Sequence, residues 1–234
     1  MRTIFSKAEP QFDGKPLKVV RHASARVMRL RVDPRDGAVR LTLPRRASVR
    51  QAYAWVESQR PWVEAQLAGR AAGIRLVPGM RLEVAGELVL LAAAPASRLT
   101  RRDGDVLRVG SDPALFEARV LRWLKAEAKR VLEAETRALG AAADVVIGRV
   151  SVGDTRSRWG SCSAAGDIRY SWRLILAPPF VRRSTVAHEV AHRVHMNHGP
   201  AFKALERELL GESPAAARAW LRANGARLHG YGRD

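Results

Sequence analysis

The residues with the most chemistry to offer sit in one short run. Four of the six histidines, His188, His192, His195 and His198, fall within HEVAHRVHMNH. Its first five residues read His-Glu-x-x-His. On a helix, positions i and i+4 share a face one turn apart. His188 and His192 can therefore each aim an imidazole nitrogen at one divalent cation, at about 2.0–2.1 Å for zinc. Glu189 can reach the open coordination position, where its carboxylate takes a proton from the metal-bound water. A helix that merely carries histidines on its solvated face requires neither that glutamate nor that spacing.

A catalytic zinc uses three protein ligands and keeps one position open. His198 is the expected third ligand, because Asn197, Gly199 and Pro200 mark a helix end after which the chain can fold back. His195 is the rival. One turn further along a straight helix, it strings the ligands out instead of surrounding the ion. Glu206 and Glu208 are further rivals, and one of them could instead orient a histidine ring. The spacing from His192 to His198 is that of the metzincin proteases, but His195 replaces the glycine of that pattern and no methionine follows Met196. Manganese, cobalt or nickel would suit the same nitrogen donors.

A second segment, Arg158-Trp159-Gly160-Ser161-Cys162, supplies candidate substrate contacts. Arg158 can steady an oxyanion or grip a carboxylate or phosphate, and His195 is a second candidate for the oxyanion. Gly160 would let a substrate backbone approach closely. If the hairpin edge borders the cleft, Trp159, Gly160 and Ser161 can bind an extended peptide by strand pairing. The plainer alternative makes Trp159 and Trp172 core anchors and Arg158 a surface residue. Cys162, with no second cysteine in the chain, reads as a small hydrophobe rather than a ligand or nucleophile.

The elements that must position these groups can be traced along the chain. Short apolar-basic alternations at 17–20, 25–32 and 38–43 read as strands, with a turn at 33–37. Within them Met28, Leu30 and Val32 alternate with Val27, Arg29 and Arg31, the pattern of a half-buried strand. Ser48-Val49-Arg50-Gln51 is a capping box opening a helix to about Ser58, and Pro61 restarts a second piece ending near Gly69. Trp55 and Trp62 are expected in the core. Hairpins follow at 80–84 with 87–91, turning at Ala85-Gly86, and at 98–102 with 106–109. Ser111-Asp112-Pro113 caps a long helix from about Ala114 to Leu139, stopped at Gly140. Strands at 145–152, 158–163 and 168–176 precede the helix that starts at Pro178-Pro179. A last helix runs from Ser213-Pro214 to Asn224-Gly225. No fixed-period repeat is present. The expected class is α+β: a basic β-rich region over 1–110, then a catalytic domain over 111–234 with a hairpin packed on the helices that carry the histidines.

Composition narrows the setting. The chain has 234 residues, is 47% hydrophobic, and holds one cysteine. It has apolar mass for a sizeable core and is neither disordered nor a disulfide scaffold. No apolar run reaches the length of about 20 residues that spans a bilayer, and MRTIFSKAEPQF holds no apolar signal core. A soluble, cytoplasmic protein is expected. Lys and Arg outnumber Asp and Glu by 41 to 23, giving +18. Residues 1–50 carry 13 of those cations against four acids, so 13 − 4 = +9, half of the excess. Such a balance attracts nucleic acid, nucleotides or acidic surfaces.

Two stretches, 154–179 and 186–205, resemble the YgjP-like zinc metallopeptidases, relatives of the SprT-like proteins. The resemblance is densest in Arg158-Trp159-Gly160-Ser161-Cys162, in Trp172-Arg173-Leu174 and in His198-Gly199-Pro200-Ala201-Phe202. It covers about the last 85 residues densely and the basic N-terminal part more loosely. It implies a minimal gluzincin-like zincin core with His188, His192 and His198 as ligands and Glu189 as catalytic base. Peptide or protein is the substrate class so implied, and the SprT-like relatives suggest protein bound to nucleic acid. Two other readings stand beside it. One is a metal-dependent nucleoside triphosphate pyrophosphohydrolase, disfavoured because phosphoryl chemistry usually employs Mg²⁺ on carboxylates and no phosphate-cradling glycine loop is present. The other is a non-catalytic nucleic-acid-binding module with a structural metal, which has no need of Glu189.

Overall fold

The computed structural model describes residues 11–12, 15–33, 37–68, 73–110, 112–155 and 158–232. The predicted turn at 34–36, the helix stop at Gly69 and the cap residue Ser111 lie outside them. The chain divides into two compact units, Met1–Ala72 and Gly73–Asp234. The β-rich region expected over 1–110 thus holds two sheets that feed separate cores.

In the first unit β1 (Gln11–Phe12), β2 (Lys15–His22), β3 (Arg29–Val32) and β4 (Val39–Pro44) form one sheet in the order β1-β2-β4-β3. β2 and β4 run parallel with Leu17 beside Val39, while β3 lies antiparallel to β4. Alternation explains its two faces. Leu17, Val39, Leu41 and Leu43 turn inward and are buried with Ala52, Val56 and Val63. Those last three come from α1 (Val49–Ser58) and α2 (Arg60–Ala68). The Ser48 hydroxyl accepts from the Gln51 N–H and caps α1 as its spacing predicts. Trp62 departs from expectation. It is 42% exposed, because Val63 takes the inward position on α2.

The second unit opens with the same strand path. β5 (Arg81–Val84), β6 (Glu87–Ala93), β7 (Thr100–Asp103) and β8 (Val106–Val109) take the order β5-β6-β8-β7, with β6 parallel to β8. The β5–β6 turn uses Ala85 and Gly86, both at positive φ (57° and 95°), the conformation a two-residue hairpin requires. The next element, α3 (Phe116–Ala142), buries Phe116, Val120, Leu124, Ala128 and Leu132 along one stripe. Gly140 does not end it. A Cβ there would stand 2.5 Å from Ile147 Cγ1, so the glycine serves a close approach and the helix runs two residues further.

A third sheet sits beneath the histidine helix. β9 (Val150–Gly153), β10 (Gly160–Cys162) and β11 (Ile168–Ser171) take the order β10-β11-β9. β11 pairs antiparallel with β10 and parallel with β9, and residues 172–176 leave it as a 3₁₀ turn instead of extending the strand. The Tyr170 hydroxyl and Thr136 Oγ1 hydrogen-bond at 2.9 Å, fastening β11 to α3. α4 (Pro179–Ala191) is fastened to α3 by a fork of bonds from Arg182 to Glu135, the shortest 2.8 Å. Two helices follow. α5 (Pro200–Leu210) was not foreseen, although Pro200 at its start and Gly211 at φ 78° past its end mark it. α6 (Ala215–Gly230) runs through Gly225, where a Cβ would stand 3.1 Å from Trp159 Cζ2, so the missing side chain makes room for that ring. Among the described residues, no helix is long and apolar enough to cross a membrane.

Candidate metal centre

α4 ends one residue before the second histidine of the motif, so His188 lies in its last turn and His192 caps it. The chain then turns through residues 193–199 and returns as α5. His198 is brought back over α4 by that turn, and its Nε2 stands 3.2 Å from His188 Nε2. The ligand atoms of His188, His192 and His198 all lie within 4.8 Å of one another. Phe202, buried at the start of α5, packs its ring against all three imidazoles at centroid distances of 4.6–5.0 Å.

Hydrogen bonds fix which nitrogen of each α4 histidine is free. His188 Nδ1 stands 2.8 Å from Glu206 Oε1. Glu206 is buried and also accepts from Arg218 Nη2 at 2.8 and 2.6 Å. Burial raises the Glu206 pKa, and the bonds from His188 and Arg218 more than reverse that, leaving it below the ordinary carboxylate value. An ionised carboxylate can only accept, so His188 donates its Nδ1–H. His192 likewise donates Nδ1–H to the backbone carbonyl of His195 at 3.0 Å. Burial lowers the pKa of both rings, which favours the neutral form. A neutral imidazole that donates from Nδ1 presents a lone pair at Nε2. The two α4 rings therefore turn bare Nε2 atoms into the space that His198 Nε2 also enters.

Glu189 lies beside this cluster, 4% exposed, and its Oε2 is buried without a hydrogen-bond partner among the described residues. Burial pushes its pKa up to about 7, against the opposing pull of Arg158. The carboxylate occupies the space where Gly160 lacks a side chain: a Cβ there would stand 2.7 Å from Glu189 Cγ and 2.8 Å from Cδ. The close approach that Gly160 permits is thus one by the protein's own glutamate.

A cavity of about 610 Å³ opens over these groups, lined by Arg158, Trp159, Gly160, Ser161, Cys162, His188, Glu189, His192 and His198 among others. The two sequence segments singled out for chemistry therefore meet at one place. His195 is not among the lining residues and enters the site through its backbone carbonyl. Trp159 stacks on His229 at 4.8 Å and faces Gly225, whereas Trp172 is buried in the core. Cys162 is half-buried and burial raises its thiol pKa. Arg218, not foreseen from the sequence, is the second anchor of Glu206. The two residues are twelve apart on different helices, and no spacing rule links them.

β10 is an edge strand of its sheet. Ser163 N–H bonds Asp167 O, and Ser171 N–H bonds Trp159 O. Antiparallel pairs alternate, so Ser161 faces Arg169 as a bonded pair while Gly160 and Cys162 turn their N–H and C=O away from β11. Main-chain donors and acceptors thus lie along the outer edge of a strand that lines the cavity.

A family model for the YgjP-like metallopeptidase domain matches residues 26–224. The chain belongs to the YgjP-like metallopeptidase family. Comparison with curated proteins and with solved structures gave no match. The matched span runs from the first unit through α6, so the YgjP-like assignment rests on far more than the histidine motif. A metallopeptidase domain implies a metal, and the residues of this YgjP-like chain fit one. Two imidazoles of fixed tautomer and a third ring converge through nitrogen. Nitrogen ligands about 2.0–2.1 Å from a tetrahedral ion lie about 3.3 Å apart, close to the 3.2 Å between His188 and His198 Nε2. The buried Glu189 oxygen beside them has no hydrogen-bond partner among the described residues.

Proposed function

We propose that this chain is a zinc-dependent hydrolase of peptide bonds. The observation that carries the reading is the convergence of three imidazole nitrogens beside a buried carboxylate oxygen that has no partner among the described residues. His188, His192 and His198 would hold the ion, and Glu206 and the His195 carbonyl hold two of those rings in the ligating tautomer. Bound zinc would supply polarisation of a carbonyl and a lowered pKa for water. Glu189 accepts the water's proton at Oε2 and returns it to the leaving amine. Gly160 leaves the space that lets Glu189 stand there. The Gly160 and Cys162 main-chain groups receive an extended peptide as an added strand. Arg158, at the cavity wall within electrostatic reach of Glu189, faces the oxyanion as it forms. The substrate-side fold is the gluzincin-like arrangement of an edge strand beside the helix that carries the histidines.

The test is cleavage of an unfolded protein and of quenched peptides by the zinc-loaded chain. Glu189→Gln should lower turnover by about 10²- to 10⁴-fold with the metal content intact. Pyrophosphate release from nucleoside triphosphates, with no peptide cleaved, would overturn the reading.

A further inference from the structure

The first unit carries a charge pattern that the hydrolase reading does not use. On the outward face of its sheet, Lys18 of β2 stands beside Arg40 of β4, and Arg40 stands opposite Arg31 of β3. Arg29 extends the row on β3, next to Thr42. All four cations are exposed. Strands lie about 4.8 Å apart, so the Lys18–Arg40–Arg31 row spans about 10 Å, with Arg29 a further ~7 Å along its strand. Like charges directly opposite one another destabilise a sheet, and among the described residues no ion pair reaches these four; Glu57 with Arg60 pairs in the helical layer. The second sheet provides an internal control, because it repeats the strand order. There Arg102 pairs with Glu87, and Arg108 lies 3.8 Å from Asp103. The second sheet also sets Arg101 directly opposite Arg108, but there Asp103 stands by the pair, whereas among the described residues no ion pair reaches the row of the first sheet.

We propose that the outward face of the first sheet docks on the phosphate backbone of a nucleic-acid duplex. Anionic oxygens would relieve the repulsion that the protein leaves standing, and their interaction would release counterions. Contact is expected with the backbone, because a flat strand surface does not enter a groove as a helix or ribbon must to read base edges. A single strand is recognised by stacking on aromatic rings, and the described side chains of this face include no Phe, Tyr or Trp. A membrane surface also draws on inserted large apolar side chains; the apolar neighbour of the row on this face, Val20 beside Thr42, is small and half-buried. The inference is independent of the metal centre.

The experiment measures binding of the full-length, zinc-loaded chain to short duplexes of DNA and of RNA by fluorescence anisotropy over a series of salt concentrations. Single strands and phosphatidylserine vesicles serve as competitors. The triple variant Lys18→Ala, Arg31→Ala, Arg40→Ala should lose at least about tenfold in affinity, and its log–log salt slope should fall by about 2.7, the value for three phosphate contacts. Its metal content and circular dichroism should be unchanged. The charge-matched control Arg101→Ala, Arg122→Ala, Arg222→Ala, all exposed in the second unit, should keep most of the wild-type affinity. Equal losses in the two triples would overturn the proposal, as would an unaltered slope in the first. So would preference for single strands or vesicles over either duplex.

Discussion

Gly160→Ala isolates the contact on which the catalytic geometry turns. The added methyl would stand 2.7 Å from Glu189 Cγ and 2.8 Å from Cδ, with Oε1 closer still. Ordinary van der Waals contact begins near 3.4 Å, and neighbours nearer than 3.0 Å must shift. Three atoms of one carboxylate group are crowded together, so rotation of a single oxygen does not clear the clash and the whole group must move by roughly 1 Å. A displacement of about 1 Å at a reacting group costs about 10²-fold in rate. Overpacking adds about 1–3 kcal/mol of destabilisation; each kcal/mol lowers Tm by about 2–4 °C at this length. None of the three histidines is among the nearest atoms to that Cβ, so metal content should hold. The assay is kcat on a quenched peptide for wild type, Gly160→Ala, Glu189→Gln and the double variant, with metal measured in each. The glycine acts through the glutamate, so the double variant should be no slower than Glu189→Gln alone. A Gly160→Ala enzyme with wild-type turnover and full metal would refute the reasoning. Additive losses in the double variant would show that the glycine acts elsewhere.

Three other perturbations probe the surrounding shell. Chelation should abolish peptide cleavage and, relative to zinc at 100 times its Kd, remove about 2.7 kcal/mol of stability, read as a downward shift in thermal unfolding; His198→Ala should reproduce most of both effects. Arg218→Ala leaves Glu206 buried with His188 as its remaining partner among the described residues, and zinc affinity measured by competition with a chromophoric chelator should fall about 10- to 100-fold. Glu135→Ala strips the carboxylate from Arg182, which is 5% exposed. Removing one partner of a buried pair costs about 3–5 kcal/mol, and the partial exposure of Glu135 reduces this to about 2–3 kcal/mol, measured by urea denaturation.

The metal cluster was legible because two periodicities meet in it. The i, i+4 spacing puts His188 and His192 on one helix face, and Asn197-His198-Gly199-Pro200 announces a reversal that returns the third ring. The capping box at Ser48 and the positive-φ pair Ala85-Gly86 were legible for the same reason, since each is set by residues within four positions of one another. Misread features depend on distant partners. Gly140 and Gly225 look like helix stops by local rules, yet each sits inside a helix because Ile147 or Trp159 passes close to its Cα. Trp62 looks like core, but the helix phase gives that place to Val63. The tautomer-setting pair Glu206 and Arg218 is joined across two helices, and only their packing discloses it.

Topology explains why β10 lies at the edge of its sheet. In each sheet the chain lays down one strand, skips a place to form an outer strand, and returns to fill the gap, so β2 with β4, β6 with β8 and β9 with β11 are parallel pairs. Hairpin signals in the sequence identify only the antiparallel half of this path, and the parallel half has no local signature. The skipped strand always finishes outermost: β3, β7 and β10. In the third sheet that outermost strand is three residues long and carries Gly160 against the Glu189 carboxylate. The path that leaves β10 at the edge also sets its glycine against the Glu189 carboxylate. In the proposed mechanism strand register therefore links substrate alignment to proton transfer: a one-residue slip of β10 against β11 would put Trp159 or Ser161 where Gly160 stands, force a side chain into Glu189, and turn the outward main-chain groups inward.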